Sequence, residues 1–350
     1  MKIKDLCSYA PKSRIKAGEA VDNAKYLFFT SSADENKRYT DFQFDKEAII
    51  MGTGGNATLH YHNEKFSVST DCLVLLPDPQ IKCKYLYYFF KSHMNVLEAG
   101  FKGAGLKHTN KKYIEDIEIN KVPDLITQDR IISRLDKISE NIEKLNRELG
   151  LFDSLVKARF VEMFGDPLIN TKKWKECTIG ELATDVRYGT SKPSVDGGKY
   201  PYLRMNNLTN NGELDLTDLK YIDVSDDEKE KCVVRKGDIL FNRTNSIDLV
   251  GKTTLFNLDE EMIIAGYIIR VRLNSQILPE ILAQYMNSSA LKKLLRKMAK
   301  GAVNQANINA QELQSIKVYV PDLELQNRFS NFVQQVDKSK YDDIRVEYKC

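Results

Sequence analysis

The chain has 350 residues, 42% of them hydrophobic and 29% charged, and its formal net charge is +3. This composition is typical of a folded globular protein and excludes a disordered one, and the length favours two domains. A net charge this small does not by itself identify a nucleic-acid-binding protein, so any charge that faces DNA has to be local. No apolar run is long enough to cross a membrane, and the first residues lack the apolar core of a signal peptide. We therefore predict a cytoplasmic protein.

The cysteines and histidines give no metal-binding pattern. The six cysteines are scattered without a C-x-x-C pair, and only His60 and His62 lie close together in the sequence. A zinc site needs clustered thiolates or imidazoles. We predict that the chain binds no metal and that its cysteines are reduced and structural.

The first module shows alternating or irregular hydrophobicity broken by Gly, Asn and Asp turns. The pattern predicts strands over Lys25–Thr30, Ala48–Met51 and Cys72–Leu76, followed by a helix over Tyr85–Leu97. Its polar loops carry side chains that suit base edges and phosphate oxygens. We take six of these residues as candidate DNA contacts: Thr53, Asn56, Thr58, Lys107, His108 and Asn110.

A long helix after this module is the strongest local signal in the chain. Asp124 is a candidate N-cap and Gly165 begins a stop signal, which together predict a helix over roughly residues 125–163. Apolar residues recur in it at alternating spacings of four and three, the repeat of a coiled coil. The predicted seam is Ile131, Leu135, Ile138, Ile142, Leu145, Leu149, Phe152 and Val156.

The second module repeats the pattern, with strands predicted over Asp238–Asn242 and Tyr267–Leu273 and a helix over Pro279–Lys300. Arg, Asn and Gln side chains present the donor and acceptor pairs that distinguish base edges, and Lys, Ser and Thr suit phosphates. The candidate DNA contacts of this module are Thr190, Ser191, Lys192, Arg204, Asn207, Arg243, Thr244, Asn245, Lys297, Gln305 and Asn307.

The two modules are copies of one pattern. Residues 122–131 read VPDLITQDRI and residues 320–329 read VPDLELQNRF, with six identities. Short strand-like stretches precede both, at Ile117–Ile119 and Ile316–Val318. The second copy continues into an apolar series in the same register, at Phe329, Val333 and Val336. Because the chain carries its own matching helix, we predict intramolecular pairing; a dimerisation stalk is the alternative.

Motifs associated with catalysis are incomplete. The segment 101–105 matches F-x-G-x-G, which lines the S-adenosylmethionine site of methyltransferases, but it follows a helical segment instead of a strand. Pro123-Asp124 and Pro321-Asp322 match the start of a nuclease motif but lack the carboxylate-x-lysine strand behind it. No phosphate-binding G-x-x-x-x-G-K-[ST] loop occurs. We therefore predict no catalytic residues and no cofactor in this chain.

With these features the chain resembles the specificity subunits of type I restriction-modification systems. The resemblance covers essentially the whole chain. The matching stretches are Tyr200-Pro-Tyr-Leu-Arg204 with Asn207-Leu208, Gly237-Asp-Ile-Leu-Phe-Asn-Arg243, Gly301 with Gln305, Asn307-Ile308, Leu313 and Ile316, Val320-Pro-Asp-Leu with Gln326 and Arg328, and Lys157-Ala-Arg-Phe with Met163-Phe-Gly-Asp-Pro167.

The resemblance implies an α+β fold with two α/β target recognition domains separated by long conserved helices that form an antiparallel coiled coil. The domains would span 1–122 and 167–320, with the central helix at 123–166 and a shortened C-terminal helix at 321–350. It implies that each domain reads one half of a split site in double-stranded DNA and that the helices set the spacer. Methylation (M) subunits and a restriction (R) motor-nuclease subunit would be the partners, and S-adenosylmethionine, ATP and Mg would bind to them. A methyltransferase or nuclease with its own recognition module is the main alternative, and a scaffold that does not contact DNA is another.

Overall fold

A computed structural model describes residues 1–302 and 305–347. The chain divides into two compact units, Met1–Lys144 and Leu145–Cys350. The boundary falls inside one long helix, so this division differs from the predicted domain limits at 122 and 167. The residues 348–350 of the predicted C-terminal helix, and the side chains of 341–347, lie outside the described part.

The first unit contains eight strands in its described residues. They are β1 (Cys7–Tyr9), β2 (Tyr26–Phe29), β3 (Arg38–Tyr39), β4 (Phe44–Asp45), β5 (Ala48–Gly52), β6 (Leu59–His62), β7 (Lys65–Val68) and β8 (Cys72–Pro77). Its helices are α1 (Cys83–Ser92), α2 (Met94–Ala99) and α3 (Lys111–Asp116). The first half of α4 (Leu125–Phe164) completes it.

The first unit is built from two four-stranded sheets that share a core. One is antiparallel with the order β1-β8-β5-β6, and the other has the order β3-β2-β7-β4 with a parallel β2–β7 pair. Successive side chains of a strand point to opposite faces. In β5, Ile49 and Met51 accordingly pack with Leu86 of α1, while Ile50 packs with Phe66 of the second sheet.

The second unit has more elements. Its strands are β9 (Lys175–Thr178), β10 (Ala183–Tyr188), β11 (Tyr200–Leu203), β12 (Lys220–Ile222), β13 (Val233–Val234), β14 (Ile239–Asn242), β15 (Thr244–Asn245), β16 (Thr253–Leu255), β17 (Met262–Ile264), β18 (Ile268–Leu273), β19 (Lys300–Ala302), β20 (Gln305–Asn307) and β21 (Lys317–Val320). Its helices are α5 (Ile179–Leu182), α6 (Asp226–Cys232), α7 (Pro279–Asn287), α8 (Ser289–Met298), α9 (Ala310–Gln314) and α10 (Leu323–Glu347), with the second half of α4.

The sheets of the second unit repeat those of the first in the same chain order. They run β10-β18-β14-β16 and β12-β11-β17-β13, again with a parallel pair, β11–β17. The central strand β14 divides its side chains as β5 does: Ile239 and Phe241 enter one core cluster and Leu240 the other. The predicted tandem repeat is therefore a repeat of fold. Two small sheets, β15-β20-β19 and β21-β9, are additional.

The predicted strands are confirmed to within one or two residues, but two predicted helices are broken. The first breaks at His93, between α1 and α2, and the second at Ser288, between α7 and α8. At the second break the Ser288 hydroxyl accepts a hydrogen bond from the backbone N–H of Leu291 and caps α8. The predicted strand at Ile117–Ile119 is also wrong, because this stretch forms only a single bridge, between Glu118 and Lys2.

The repeated sequence before each long helix has the same structural role in both units. Asp124 is the N-cap of α4, since its carboxylate accepts from the backbone N–H of Thr127 at 2.8 Å. Four residues on, Gln128 is fully buried, accepts from the backbone N–H of Lys82 and donates to the carbonyls of Gln80 and Pro123. This identical glutamine joins the start of α4 to the loop before α1.

Gln326 repeats these hydrogen bonds in the second unit. It is fully buried, accepts from the backbone N–H of Leu278 at 2.8 Å, and donates to the carbonyls of Gln276 at 3.0 Å and Pro321 at 2.7 Å.

In the second unit α10 packs antiparallel on the second half of α4. Phe329 contacts Phe160 and Phe164, whereas Lys340, eleven residues later in α10, pairs with Asp153, earlier in α4. The predicted seam positions of this region are at the contact, with Val156 and Val336 buried and Phe152 and Val333 partly buried. The predicted antiparallel helix pairing is confirmed here.

The predicted seam is not covered along its whole length within the described residues. Ile138 is 54% exposed and Ile142 is 52% exposed, while Ile131, Leu135, Leu145 and Leu149 are partly buried. Near the seam's first turns, α4 is held to α1 by polar contacts, in which Lys84 and Tyr88 both donate to the carboxylate of Asp136. The pairing with α10 therefore accounts only for the second half of the heptad pattern.

Candidate nucleic-acid interface

A small sheet in the second unit brings together candidate residues from two distant stretches. In β15-β20-β19, Thr244 is paired with Asn307, and Asn245 with Ala306. The Asn307 amide N–H donates to the Thr244 hydroxyl at 3.2 Å. Gln305, at the start of β20, is exposed. Five predicted DNA contacts, including Arg243 beside them, thus form one cluster.

Arg243 lies immediately between β14 and β15. Its Nη2 donates to Asn307 Oδ1 at 3.3 Å, and its guanidinium carbon is 4.9 Å from the centre of the Tyr188 ring. The Tyr188 hydroxyl accepts from the backbone N–H of Ala310 at 2.8 Å. Tyr188 is not among the residues predicted from the sequence, although an aromatic residue directly before the polar segment at Gly189 was a usable signal.

The loop that follows β10 is tied to α6. Thr190 is buried and its hydroxyl donates to Glu228 at 2.6 Å, and the Lys192 ammonium also pairs with Glu228. Hydrogen bonds from Lys192 and Thr190 keep the pKa of Glu228 below its usual range. Gly189 is required because an added Cβ would lie 2.1 Å from the Ile264 carbonyl. Of the three candidates in this loop, Ser191 and Lys192 are exposed.

Arg204 and Asn207 follow β11 of the sheet β12-β11-β17-β13. Asn207 is 2% exposed, accepts from the backbone N–H of Arg204 and donates to the carbonyl of Asp215. The Arg204 guanidinium donates to Asp218 Oδ2 at 2.7 Å and helps to lower the pKa of that carboxyl. Asn207 is therefore buried in the fold and the charge of Arg204 is neutralised by Asp218, while the choice of both as DNA contacts stays a prediction.

A cluster of cations lies where α8 contacts the loop before β16. Lys292 donates to the carbonyl of Gly251 at 2.7 Å, and Lys252 is buried and donates to the carbonyl of Met205 at 2.8 Å. Burial, with the nearby Lys252 and Arg296, lowers the pKa of Lys292 to about 8. Lys297, the predicted phosphate contact on α8, is exposed.

The first unit has the corresponding arrangement with different side chains. The backbone N–H of Thr109 donates to the Thr53 carbonyl at 3.0 Å, as the N–H of Ile308 donates to the Arg243 carbonyl at 2.9 Å. Gly54 forms a bridge with His108, so the two predicted loops meet. The first unit thus has Thr53 where the second has Arg243.

The remaining candidates of the first unit divide by exposure. Asn56, Lys107, His108 and Asn110 are exposed. Asn110 also caps α3 by accepting from the backbone N–H of Tyr113 at 2.9 Å. Thr58 is 9% exposed and its hydroxyl accepts from the backbone N–H of Gly52. Thr58 thus stabilises the fold locally, and its choice as a DNA contact stays a prediction.

Among the side chains that the structure describes, no three His, Cys, Asp or Glu residues come together as a metal site. In the same part of the chain, no helix has the length and hydropathy needed to cross a membrane.

Two units that repeat one fold, each with polar loop residues beside an equivalent strand, define a tandem two-domain protein. The family described as "Type I restriction modification DNA specificity domain" matches residues 1–150 and 171–344, so the chain belongs to this family. Its role in the family is sequence recognition and not catalysis, which confirms the predicted function class.

Known type I specificity subunits are similar to this protein over most of its length. The EcoKI specificity subunit of Escherichia coli K12 is 22% identical over 347 residues, covering 94% of this chain and 71% of its own length. The MjaVIII specificity subunit of Methanocaldococcus jannaschii is 25% identical over 311 residues, covering 84% and 72%. The S subunit of Mycoplasma genitalium has the same fold, with a TM-score of 0.57 at 17% identity, and the match covers 99% of this chain and 90% of that one.

Proposed function

We propose that this chain is the sequence-reading subunit of a type I restriction-modification enzyme, with each unit reading one half of a bipartite site in duplex DNA. The observation that carries the proposal is the recurrence of one strand–loop arrangement in both units, with Arg243 and Asn307 in one and Thr53 and His108 in the other. Side chains differ at these positions while the backbone pairing is kept, as expected if two half-sites differ in sequence.

The partners and cofactors follow from this assignment. Methylation subunits and a motor-nuclease subunit in the cytoplasm would carry S-adenosylmethionine, ATP and Mg, since this chain has no motif for them. The exposed apolar positions Ile138 and Ile142 on α4 support a docking role for that helix. Exchange of either isoleucine for serine should then weaken co-purification of the methylation subunits.

The test of DNA recognition is binding of the assembled complex to duplex DNA over a range of salt concentrations. Neutralised phosphates release counterions, so six or more phosphate contacts lower affinity by roughly 10³-fold between 50 and 200 mM salt. Lys297→Ala should weaken binding to all sequences alike and reduce the salt slope by about one. A salt-independent affinity would contradict the proposal, as would a methylome without a bipartite motif.

A further inference from the structure

One arginine of the candidate cluster is fixed in place without a carboxylate partner. Arg187, Arg204, Arg270 and Arg272 of the same unit are each paired with an aspartate. Among the described residues no carboxylate forms an ion pair with Arg243.

The guanidinium of Arg243 is nevertheless held from two directions. The Tyr188 ring lies 4.9 Å away on one side, and Asn307 Oδ1 accepts from Nη2 at 3.3 Å. The Asn307 amide is itself oriented, since its N–H donates to Thr244. The Nε of Arg243 is buried and has no hydrogen-bond partner. The guanidinium is therefore oriented by neutral groups and keeps unshared donors.

Such an arrangement suits a ligand that presents two acceptors side by side. A phosphate offers them too, but a lysine also binds it as a point charge, so a phosphate contact does not require a fixed guanidinium. An arginine whose plane is fixed by an aromatic face presents two parallel donors, the pattern that matches O6 and N7 of guanine in the major groove.

We propose that Arg243 reads one guanine in the half-site of the second unit, and that Tyr188 and Asn307 are positioning residues for that contact. This inference rests on the proposed function and goes beyond it, because it names a base and the residues that orient its reader. The first unit has Thr53 at the corresponding place, and its hydroxyl donates to the carbonyl of Asp71. The effect should therefore be confined to one half-site.

The first test uses the full chain co-expressed with the methylation subunits of its own system, with the methylated motif read by sequencing. Arg243→Lys keeps the charge and loses the paired donors. We expect the preference for guanine at one position to fall on the order of 10- to 100-fold, with the other half-site unchanged. Uniform weakening on all sequences would show a phosphate contact and overturn the proposal.

The positioning role is tested by three tyrosine variants. Tyr188→Leu removes the ring and should relax the same guanine position, whereas Tyr188→Phe keeps the ring and should preserve the motif. Tyr221→Leu is the matched control, because Tyr221 and Tyr188 are both 42% exposed in the same unit. If Tyr188→Phe relaxed the motif as much as Tyr188→Leu, the hydroxyl contact to Ala310 and not the contact between the ring and the guanidinium would be responsible, which would overturn this part.

A measurement on the wild-type complex avoids any question of folding. Replacement of single guanines by 7-deazaguanine removes the N7 acceptor. One position in one half-site should weaken binding on the order of 10-fold, and Arg243→Lys should show no further loss there. If the wild-type complex binds no specific sequence, the proposed function fails. If it reads a bipartite motif but no guanine depends on Arg243, only this inference fails.

Discussion

The buried glutamine that repeats in both units gives the sharpest stability prediction. Gln326 is fully buried and makes three hydrogen bonds to backbone groups. Gln326→Leu keeps the side-chain volume approximately but leaves the N–H of Leu278 and the carbonyls of Gln276 and Pro321 without this partner. Each buried polar group left unsatisfied costs about 1–3 kcal/mol. We expect the second unit to lose about 3–5 kcal/mol of its free energy of unfolding.

The chain carries its own probe for this measurement. Trp174, the single tryptophan, lies in the second unit and donates to the carbonyl of Phe164 at 2.9 Å. With a urea dependence of about 1–3 kcal/mol per molar, the midpoint followed by tryptophan fluorescence should fall by about 1–5 M.

The matched control is Gln334→Leu on the same helix, where the side chain is exposed and a change within about 0.5 kcal/mol is expected. Equal midpoints for wild type and Gln326→Leu would refute the reasoning. Equal losses in the two variants would show that the cost comes from adding leucine to α10 and not from the lost hydrogen bonds.

Three further predictions concern charge, packing and helix length. Lys292→Met removes an ammonium whose pKa is lowered to about 8 from 10.5. Below pH 8, Lys292 is protonated in both the folded and the unfolded chain, so the free-energy cost of burying its charge is fully present. Between pH 8 and 10.5 the folded chain loses this proton before the unfolded chain does, and the cost disappears. The stability of the variant relative to wild type should therefore be about 1–3 kcal/mol higher at pH 7 than at pH 10.5, and a stability difference independent of pH would contradict this. Phe329→Ala should lower the free energy of unfolding by about 3–5 kcal/mol, because Phe329 is fully buried against α4. Ile142→Ala should change it by about 0.5 kcal/mol or less, because Ile142 is more than half exposed. Urea denaturation measures both values, and similar losses would place Ile142 in a core. A heptad inserted after Leu145 lengthens α4 by about 10 Å and should lengthen the spacer between the two methylated half-sites by about 2–3 base pairs. Two inserted residues should instead destabilise the chain, because they rotate the apolar seam away from its partner helix. An unchanged spacer in an active heptad variant would refute the idea that the helix sets the spacing.

The sequence by itself determined the features that depend on local spacing. The heptad pattern predicted α4 to within a residue of its end at Phe164, and Asp124 was identified as its cap because capping depends on residues three positions apart. The repeated VPDL segments predicted a tandem fold, which the matching sheet orders confirm. The breaks at His93 and Ser288 were missed because apolar periodicity continues across them.

Only the tertiary structure decided which polar residues are available to a ligand. Arg204 and Arg243 look equivalent in the sequence, yet Asp218 neutralises the first, while Tyr188 and Asn307 orient the second without neutralising it. The partners lie from 14 to 64 positions away in the chain. Such pairings depend on how the strands are registered in the folded sheets, and the residue types alone do not encode that register.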